Sequence, residues 1–317
     1  MTPQSQKILS EMQVRKSSQE KRAFRAWLTK ELEGAGWTVQ EEGSLLSGHN
    51  LIAGDPEKAK VLYTAHYDTQ AVLPFPNFIT PRNMGIYVAY QVLIVLGFFA
   101  AVAVAEAVTI LAFRALGMKE LLPMVAPLVS MVVCFFFLWW LFFGKANKHT
   151  ANDNTSGVIT LMEVALTLPP EDRDKVCLVF FDNEERGMLG SANFASRRKR
   201  VKRETLVLNF DCVSDGDSIQ FFPTKALRKE EASLQAIERA FQPTAGKEVA
   251  VYRDGGIYPS DNASFKRACG ICALKKKGKL YYMDRIHTAK DTVFMEENIE
   301  LLRHGCLRLA KELPQTV

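Results

Sequence analysis

Residues 176–191 read Val-Cys-Leu-Val-Phe-Phe-Asp-Asn-Glu-Glu-Arg-Gly-Met-Leu-Gly-Ser and contain the plainest change of structure in this chain. The first six residues are apolar, which is typical of a fully buried strand. Glu184 and Glu185 follow the end of that strand, and a helix is predicted over residues 188–197. Two adjacent glutamates are by default a solvated pair at a helix start. A buried strand that ends in acids instead predicts a functional site at the carboxyl edge of an α/β sheet, where ligands bind.

The same alternation of strand and helix extends through the rest of the chain. Buried strands are predicted at residues 60–65 and 205–210, and shorter strands at 37–40 and 50–53. A capping-box pattern at residues 17–20 begins the first helix. Further helices are predicted at residues 157–168, 227–241, 262–268 and 296–312. This alternation predicts an α/β fold with a mostly parallel central sheet and helices on both faces.

Composition fits one large or two small globular domains. The chain has 317 residues, a formal charge of +5 and 48% hydrophobic residues. The six cysteines are scattered, which favours unpaired thiols in a reducing compartment over a disulfide framework. Cys269 and Cys272 have zinc-finger spacing but lack a second pair nearby. Residues 1–25 are polar, so no signal peptide is expected and the domain is not obviously exported.

Two long apolar stretches interrupt the α/β pattern. Residues 84–113 contain one charge, Glu106, and residues 121–143 contain none. Each is long enough to cross a hydrocarbon core of about 30 Å. Buried core helices are the alternative, but helices of soluble proteins rarely stay apolar on every face. We therefore predict a transmembrane helical hairpin at residues 83–144, inserted between two parts of one catalytic domain, 1–82 and 145–317.

Five short motifs carry histidines and carboxylates that suit a metal site. They contain His66 and Asp68, Asp153, the pair Glu184-Glu185, Asp211, and His287. Several lie just beyond a predicted strand, so residues distant in sequence can meet at one sheet edge. Imidazole and carboxylate are ligands of divalent metals, and two such metals can bind the transition state of a hydrolysis together. Each motif alone is weak, and the combination predicts a two-metal hydrolytic centre.

These residues resemble metallopeptidase family 28, the group of bacterial leucyl aminopeptidases, glutamate carboxypeptidase and glutaminyl cyclase. The resemblance runs from about Gln19 to the C-terminus, excluding the hairpin, and is most specific at residues 181–191. It implies a membrane-inserted bacterial member with two divalent metal ions, zinc in first place. The implied ligands are His66, Asp153 and Asp211 for one metal, and Asp153, Glu185 and His287 for the other, so that Asp153 bridges.

The resemblance also implies three residues that act beside the metals. Glu184 would be the general base, and Asp68 would orient the ring of His66. Tyr258 would stabilise the oxyanion, although a purely structural tyrosine fits the sequence equally well. His49, His149 and His304 have no matching context and are expected to be ordinary histidines.

The activity that follows is removal of N-terminal residues from peptides. Glutaminyl cyclases work with one metal, whereas both ligand sets are complete here. A glutamate-type carboxypeptidase needs further domains that this chain does not offer. A membrane receptor or scaffold on an inactive peptidase fold is the alternative outside enzymes, and the complete ligand set argues against it.

The hairpin predicts where the activity takes place. The two spans predict a multi-pass protein of the cell membrane. A slight excess of basic residues on the catalytic side predicts that the catalytic domain lies in the cytoplasm. Basic runs at residues 197–203 and 275–279 either lie against anionic lipid or are simple solvated loops. The expected partners are a peptide substrate and the lipid bilayer, with no nucleic acid, and a homo-oligomer is compatible with the sequence. Glu106 indicates either an inter-helix contact or a side chain that reaches the interface.

Overall fold

A computed structural model describes residues 1–73, 75, 77–244 and 246–313. Its centre is one mixed sheet in the order β1-β2-β4-β3-β5-β8-β6-β7, with β9 paired to β8. The strands are β1 (Val39–Ser44), β2 (Gly48–Ala53), β3 (Val61–His66), β4 (Val176–Phe181), β5 (Leu206–Phe210), β6 (Ser218–Pro223), β7 (Glu248–Val251), β8 (Ala268–Lys277) and β9 (Leu280–Tyr282).

The middle of the sheet is parallel. β4, β3, β5 and β8 are neighbours and run in one direction, whereas β1 pairs antiparallel with β2, β2 with β4, and β6 with β8. The predicted α/β class is confirmed, and its parallel character belongs to this centre. The carboxyl ends of β4, β3 and β5 therefore lie side by side at one edge.

Helices cover both faces of the sheet. The helices are α1 (Pro3–Glu11), α2 (Ser18–Gly34), α3 (Met84–Ala115), α4 (Leu122–Phe143), α5 (Gly157–Thr167), α6 (Leu189–Arg197), α7 (Lys199–Glu204), α8 (Glu231–Ala240) and α9 (Glu296–Glu312). Apolar residues of α1, α2, α5, α8 and α9 share one core with one face of the sheet. α6 and α7 pack on the other face. The predicted capping box is present at the start of α2, between Ser17 and Glu20.

The helix predicted at residues 262–268 is wrong. The chain makes one short 3-10 turn at Asp261–Ser264 and then enters β8 at Ala268. The apolar run that follows is buried between β5 and β6, and a continuous apolar run of that length suits a central strand. Cys269 and Cys272 both lie in this strand as buried free thiols. Three residues apart on a strand, they point to opposite faces and do not form a metal pair.

α3 and α4 form an antiparallel hairpin outside the sheet. Both are long and apolar enough to cross a membrane, and none of either apolar window is buried, so they are not core helices. Glu106 of α3 accepts a hydrogen bond from the Ser130 hydroxyl of α4. This is the inter-helix contact that the charge in the first span suggested.

The two chain segments that lead into and out of the hairpin pair with each other; we call residues 70–73 and 145–147 the neck. Val72 N donates to Lys145 O (2.9 Å), and Asn147 N donates to Gln70 O (3.1 Å). Trp140, near the end of α4, donates its indole N–H to Val72 O (3.3 Å). Just before α3, the guanidinium of Arg82 lies 4.5 Å and 4.1 Å from the ring centres of Tyr252 and Tyr281. The hairpin is thus fixed to the sheet edge by backbone pairing and by aromatic contacts.

Candidate metal centre

The predicted ligands meet at the carboxyl edge of the parallel strands. His66 is the last residue of β3, Asp211 follows β5, and Glu184 and Glu185 lie three and four residues beyond the end of β4. Because β4, β3 and β5 are adjacent, their ends lie about 5 Å apart from one strand to the next. Asp153 precedes α5, and His287 lies in the segment after β9. The topology alone therefore brings three of the five motifs together.

Asp153 lies between two histidines. Its Oδ1 is 3.4 Å from His66 Nε2, which is also 3.5 Å from Asp211 Oδ1. Its Oδ2 is 2.9 Å from His287 Nε2, which is 3.2 Å from Glu185 Oε2. Each set of three offers ligand atoms within 4.8 Å of one another. The two sets are those predicted from the sequence, and they share one carboxylate.

The donor set fits two divalent cations. Imidazole nitrogens and carboxylate oxygens are the ligands that such ions take, and one shared carboxylate suits a pair of them. Glu185 Oε1 and Asp211 Oδ1 are buried and make no hydrogen bond within the described part of the chain. Buried carboxylate oxygens without partners are costly, and a bound cation would satisfy both.

The charges of the centre shift the titration of its histidines. Burial opposes a positive imidazole, but the carboxylates outweigh it and hold the pKa of His66 and His287 well above the ordinary value. Burial likewise opposes a charged Asp153, and the two histidines nevertheless hold its pKa below the ordinary value. Protons on the two rings thus balance the carboxylates when no cation is bound. Cation binding must displace those protons.

Glu184 lies in a different environment from the ligands. Burial raises its pKa well above the ordinary value, and the charges of Glu185 and Asp261 raise it further, while His66 opposes them. Asp261 is itself fully buried, and burial raises its pKa to about 7. A carboxyl whose pKa is raised toward neutrality is suited to accept and return a proton.

Asp68 holds the loop that carries the two glutamates. Its Oδ1 and Oδ2 accept the backbone N–H groups of Glu184 (3.0 Å) and Glu185 (3.2 Å). Its Oδ1 also lies 3.5 Å from His66 Nδ1, and its backbone oxygen lies 3.1 Å from the same nitrogen. One buried carboxylate therefore contacts the first motif and the third.

Tyr258 is placed as a structural residue. Its side chain is buried, and its hydroxyl donates to the backbone oxygen of Asp211 (3.1 Å). Its ring stacks on Phe222 with ring centres 6.2 Å apart. In this arrangement the hydroxyl supports a ligand-bearing loop, and an oxyanion role would require it to leave that carbonyl.

Two buried residues that the sequence reasoning did not single out support the centre. Asp291 accepts the backbone N–H groups of Asn152 (2.8 Å) and Asp153 (3.0 Å) on its two oxygens. Arg15 donates from Nε to Tyr67 O and from Nη2 to Thr155 Oγ1 (3.2 Å). Asp291 lies in the same short motif as His287, which was a usable signal. Arg15 lies far from every motif, and no sequence signal points to it.

The remaining histidines and loop acids stay outside the centre. His49 pairs with Glu41 at 3.0 Å, and His304 contacts Arg303. Asp215 pairs with Lys275 and Arg285. None of these groups belongs to either metal-ligand set of the described residues.

Comparison with known proteins assigns the family. The model of peptidase family M28 matches residues 141–309, which is more than half of the chain and includes four of the five motifs. This chain belongs to peptidase family M28. The family assignment makes it a metal-dependent peptidase by class. A comparison with curated proteins finds no match.

Solved structures of aminopeptidases and of a glutaminyl cyclase share the fold. The LapA aminopeptidase of Legionella pneumophila is 15% identical with a TM-score of 0.58, over 98% of this chain and 71% of that one. The glutaminyl cyclase of Porphyromonas gingivalis is 17% identical with a TM-score of 0.59, over 97% and 95%. A leucine aminopeptidase precursor of Bacteroides thetaiotaomicron is 15% identical with a TM-score of 0.54, over 95% and 92%. At these identities the likeness shows the fold.

Proposed function

We propose that this M28 peptidase is a membrane-embedded, dinuclear metal-dependent aminopeptidase. The observation that carries the proposal is Asp153, whose two oxygens face two separate histidine–carboxylate sets. His66, Asp153 and Asp211 would hold one cation, and Asp153, Glu185 and His287 the other. Mixed imidazole and carboxylate ligands favour zinc as the native metal.

When bound, the two cations would supply Lewis-acid chemistry that activates a water and polarises the scissile carbonyl. Glu184 would take the proton of the attacking water and return it to the leaving amine. Asp68 would position Glu184, because it accepts the backbone N–H groups of both glutamates. Tyr258 is the proposed oxyanion donor, provided that its hydroxyl leaves the carbonyl of Asp211.

The complete second ligand set favours an aminopeptidase over a glutaminyl cyclase. The fold supports both activities about equally, since solved structures of both kinds match this chain to a similar degree. A panel of aminoacyl substrates together with an N-terminal glutaminyl peptide separates them. Release of ammonia with ring closure, in place of release of a free amino acid, would favour the cyclase.

The decisive variant is Glu184→Gln, assayed in detergent with metal content measured. The general base is lost but the ligands remain, so turnover should fall by about 10²–10⁴-fold while two metals stay bound. Glu163→Gln is a matched control, because Glu163 is a buried glutamate whose contacts are to Thr2, outside the ligand sets. Turnover close to that of the control would overturn the role of Glu184. An inactive receptor would bind no metal and show no turnover.

Residues 83–144 are proposed as the membrane-embedded unit, with the catalytic domain in the cytoplasm. Two exposed apolar helices support the insertion. The basic residues Arg82, Lys145 and Lys148 at the catalytic end, against Arg114 and Lys119 at the other end, slightly favour this orientation. In sealed inside-out vesicles, added protease should digest the catalytic domain and spare the connection between the helices. Protection of the catalytic domain would reverse the orientation. The neck lies beside the centre, since Gln70 donates to the Glu185 carboxylate (3.4 Å) and Leu73 N donates to His287 O (2.8 Å). We therefore expect hydrophobic or membrane-released peptides as substrates.

A further inference from the structure

Exposed apolar side chains outside the hairpin are few and lie at one end of the molecule. Among the described residues outside α3, α4 and their connection, the large apolar side chains with high exposure are Leu45, Leu46, Leu189 and Ile257. Single exposed apolar residues need no explanation, but several gathered on one surface mark an interaction site. Leu45 and Leu46 are the extreme cases, at 96% and 83% exposed.

Leu45 and Leu46 form the turn between β1 and β2, at the carboxyl edge of the parallel strands. β2 runs antiparallel to β4 with Leu51 opposite Phe180, so the start of β2 lies beyond the end of β4. Asn183, next to Glu184, donates its side-chain N–H to Leu46 O (3.4 Å). Leu189 N donates to Asn183 O (3.0 Å). Three of the four apolar residues therefore surround the loop that carries the glutamates.

Ile257 lies against the root of the hairpin, which is residues 79–87 at the start of α3. Its N–H donates to Pro81 O (3.3 Å), and its side chain lines a cavity of about 70 Å³ together with Met84 and Tyr87 of α3. The hairpin root packs toward the β8–β9 side of the sheet, where Ile79 pairs with Met283. The β1–β2 turn lies on the other side of β4 and β3. The metal centre is thus between the hairpin and the two leucines.

The tip of β8 and β9 adds positive charge at the same end. Ile271 pairs with Phe210, the last residue of β5, and β8 continues six residues further to Lys277. At about 3.3 Å per residue this tip projects roughly 20 Å past the edge. It carries the exposed Lys277 and Lys279. Tyr282 of β9 contacts Phe78, which contacts Tyr90 of α3, so the lysine tip projects beside the hairpin.

We propose that Leu45 and Leu46 insert into the interface of an anionic lipid bilayer, as a second contact across the metal centre from the hairpin. The inference rests on the proposed membrane insertion of the hairpin. The metal centre then faces the bilayer and receives peptides from the membrane plane. A peptide subsite is the other use for exposed leucines, but a subsite needs walls, and Leu45 at the tip of a turn has almost none. An exposed apolar turn on one side of the centre and a lysine-bearing tip on the other suit the interface of an anionic bilayer.

A depth-sensitive label on the full chain tests the contact. Leu45→Cys is labelled with an environment-sensitive fluorophore in a Cys134→Ser background, since the other five cysteines are buried. Lys58→Cys is the control, because residue 58 is exposed in the β2–β3 connection at the opposite edge. In vesicles with anionic lipid, spin-labelled lipid should quench the label at 45, and aqueous iodide should quench the label at 58. Equal quenching of both labels by iodide would overturn the proposal.

Kinetics separate this inference from the proposed function. The double variant Leu45→Ser, Leu46→Ser should keep the turnover of a short soluble aminoacyl substrate in detergent. For an apolar peptide partitioned into vesicles, its kcat/KM should fall by about tenfold. An equal fall in detergent with a soluble apolar peptide would assign the leucines to a peptide subsite and overturn the bilayer contact. Wild-type protein that is inactive on every substrate, with the label at 45 still in lipid, would refute the function alone.

Discussion

Asp291 belongs to neither proposed ligand set, and the substitution Asp291→Asn tests how far the metal centre depends on it. The two oxygens of Asp291 accept the N–H groups of Asn152 and Asp153, and the side chain is 1% exposed. An asparagine keeps one acceptor and turns an NH₂ group toward the other N–H. One buried backbone donor loses its partner, and the segment that carries the shared carboxylate loses one of its two anchors.

The magnitude follows from that lost partner. A buried donor left without an acceptor costs about 1–3 kcal/mol of unfolding free energy. In a domain of this size, 2 kcal/mol corresponds to a fall in Tm of about 4–8 °C. Residues that orient metal ligands typically cost 10–100-fold in metal affinity when they are replaced. We expect the affinity of Asp291→Asn for metal to fall at both sites, because Asp153 belongs to both ligand sets.

The assay combines thermal unfolding in detergent with competitive zinc titration against a chromogenic chelator. Asp172→Asn is the matched control, because Asp172 is also a buried aspartate and its partner is Lys175 near the amino end of β4. The control should lose stability and keep its metal affinity. If Asp291→Asn loses stability to the same degree and binds both metals as tightly as the control, Asp291 does not position Asp153.

Three further outcomes follow from the structure. Tyr258→Phe should lower kcat by about 10²-fold, because its hydroxyl is the proposed oxyanion donor; a fall in Tm with unchanged kcat would limit the hydroxyl to its hydrogen bond with Asp211 O. The Tm of metal-free protein should fall as pH rises. The raised pKa of His66 and His287 gives stability that is fully present below the unfolded pKa of about 6.5 and is lost as pH passes the higher folded pKa. The Tm of zinc-loaded protein should change little over that range. Arg82→Ala should cost about 1–2 kcal/mol through its two tyrosine contacts; an unchanged Tm would show that these contacts do not stabilise the hairpin root.

Long apolar runs bounded by polar residues were predictable to the residue. β4 and α9 have the predicted limits, because residues 176–181 are continuously apolar and residues 296–312 keep a helical apolar period between charged ends. β6, β7 and β9 were not predicted, since they are short and carry mixed polarity. Residues 262–268 were assigned to a helix although the apolar run of β8 begins at Ala268. Local pattern therefore located β1 to β5 and missed β8, a strand of the parallel centre, together with β6, β7 and β9.

The sequence predicted that the metal ligands converge at one sheet edge, but it did not predict the residues that hold those ligands in place. His66, Asp211 and Glu185 follow neighbouring strand ends, which a parallel arrangement implies. Arg15 reaches the centre through a backbone oxygen and a threonine far along the chain. Such contacts depend on how helix α1 and its following segment pack, and no spacing in the sequence encodes them.

The neck ties the base of the apolar hairpin to the second proposed ligand set. Leu73 N donates to His287 O (2.8 Å), and the side chain of Asn147 donates to Thr288 O (3.0 Å). A soluble version of the enzyme made by splicing residue 69 to residue 148 would therefore remove the backbone that holds His287. A splice that joins residues 83 and 144 through a short flexible linker retains those bonds. The place of the excision, more than the loss of the helices, would decide whether a detergent-free enzyme keeps its metals.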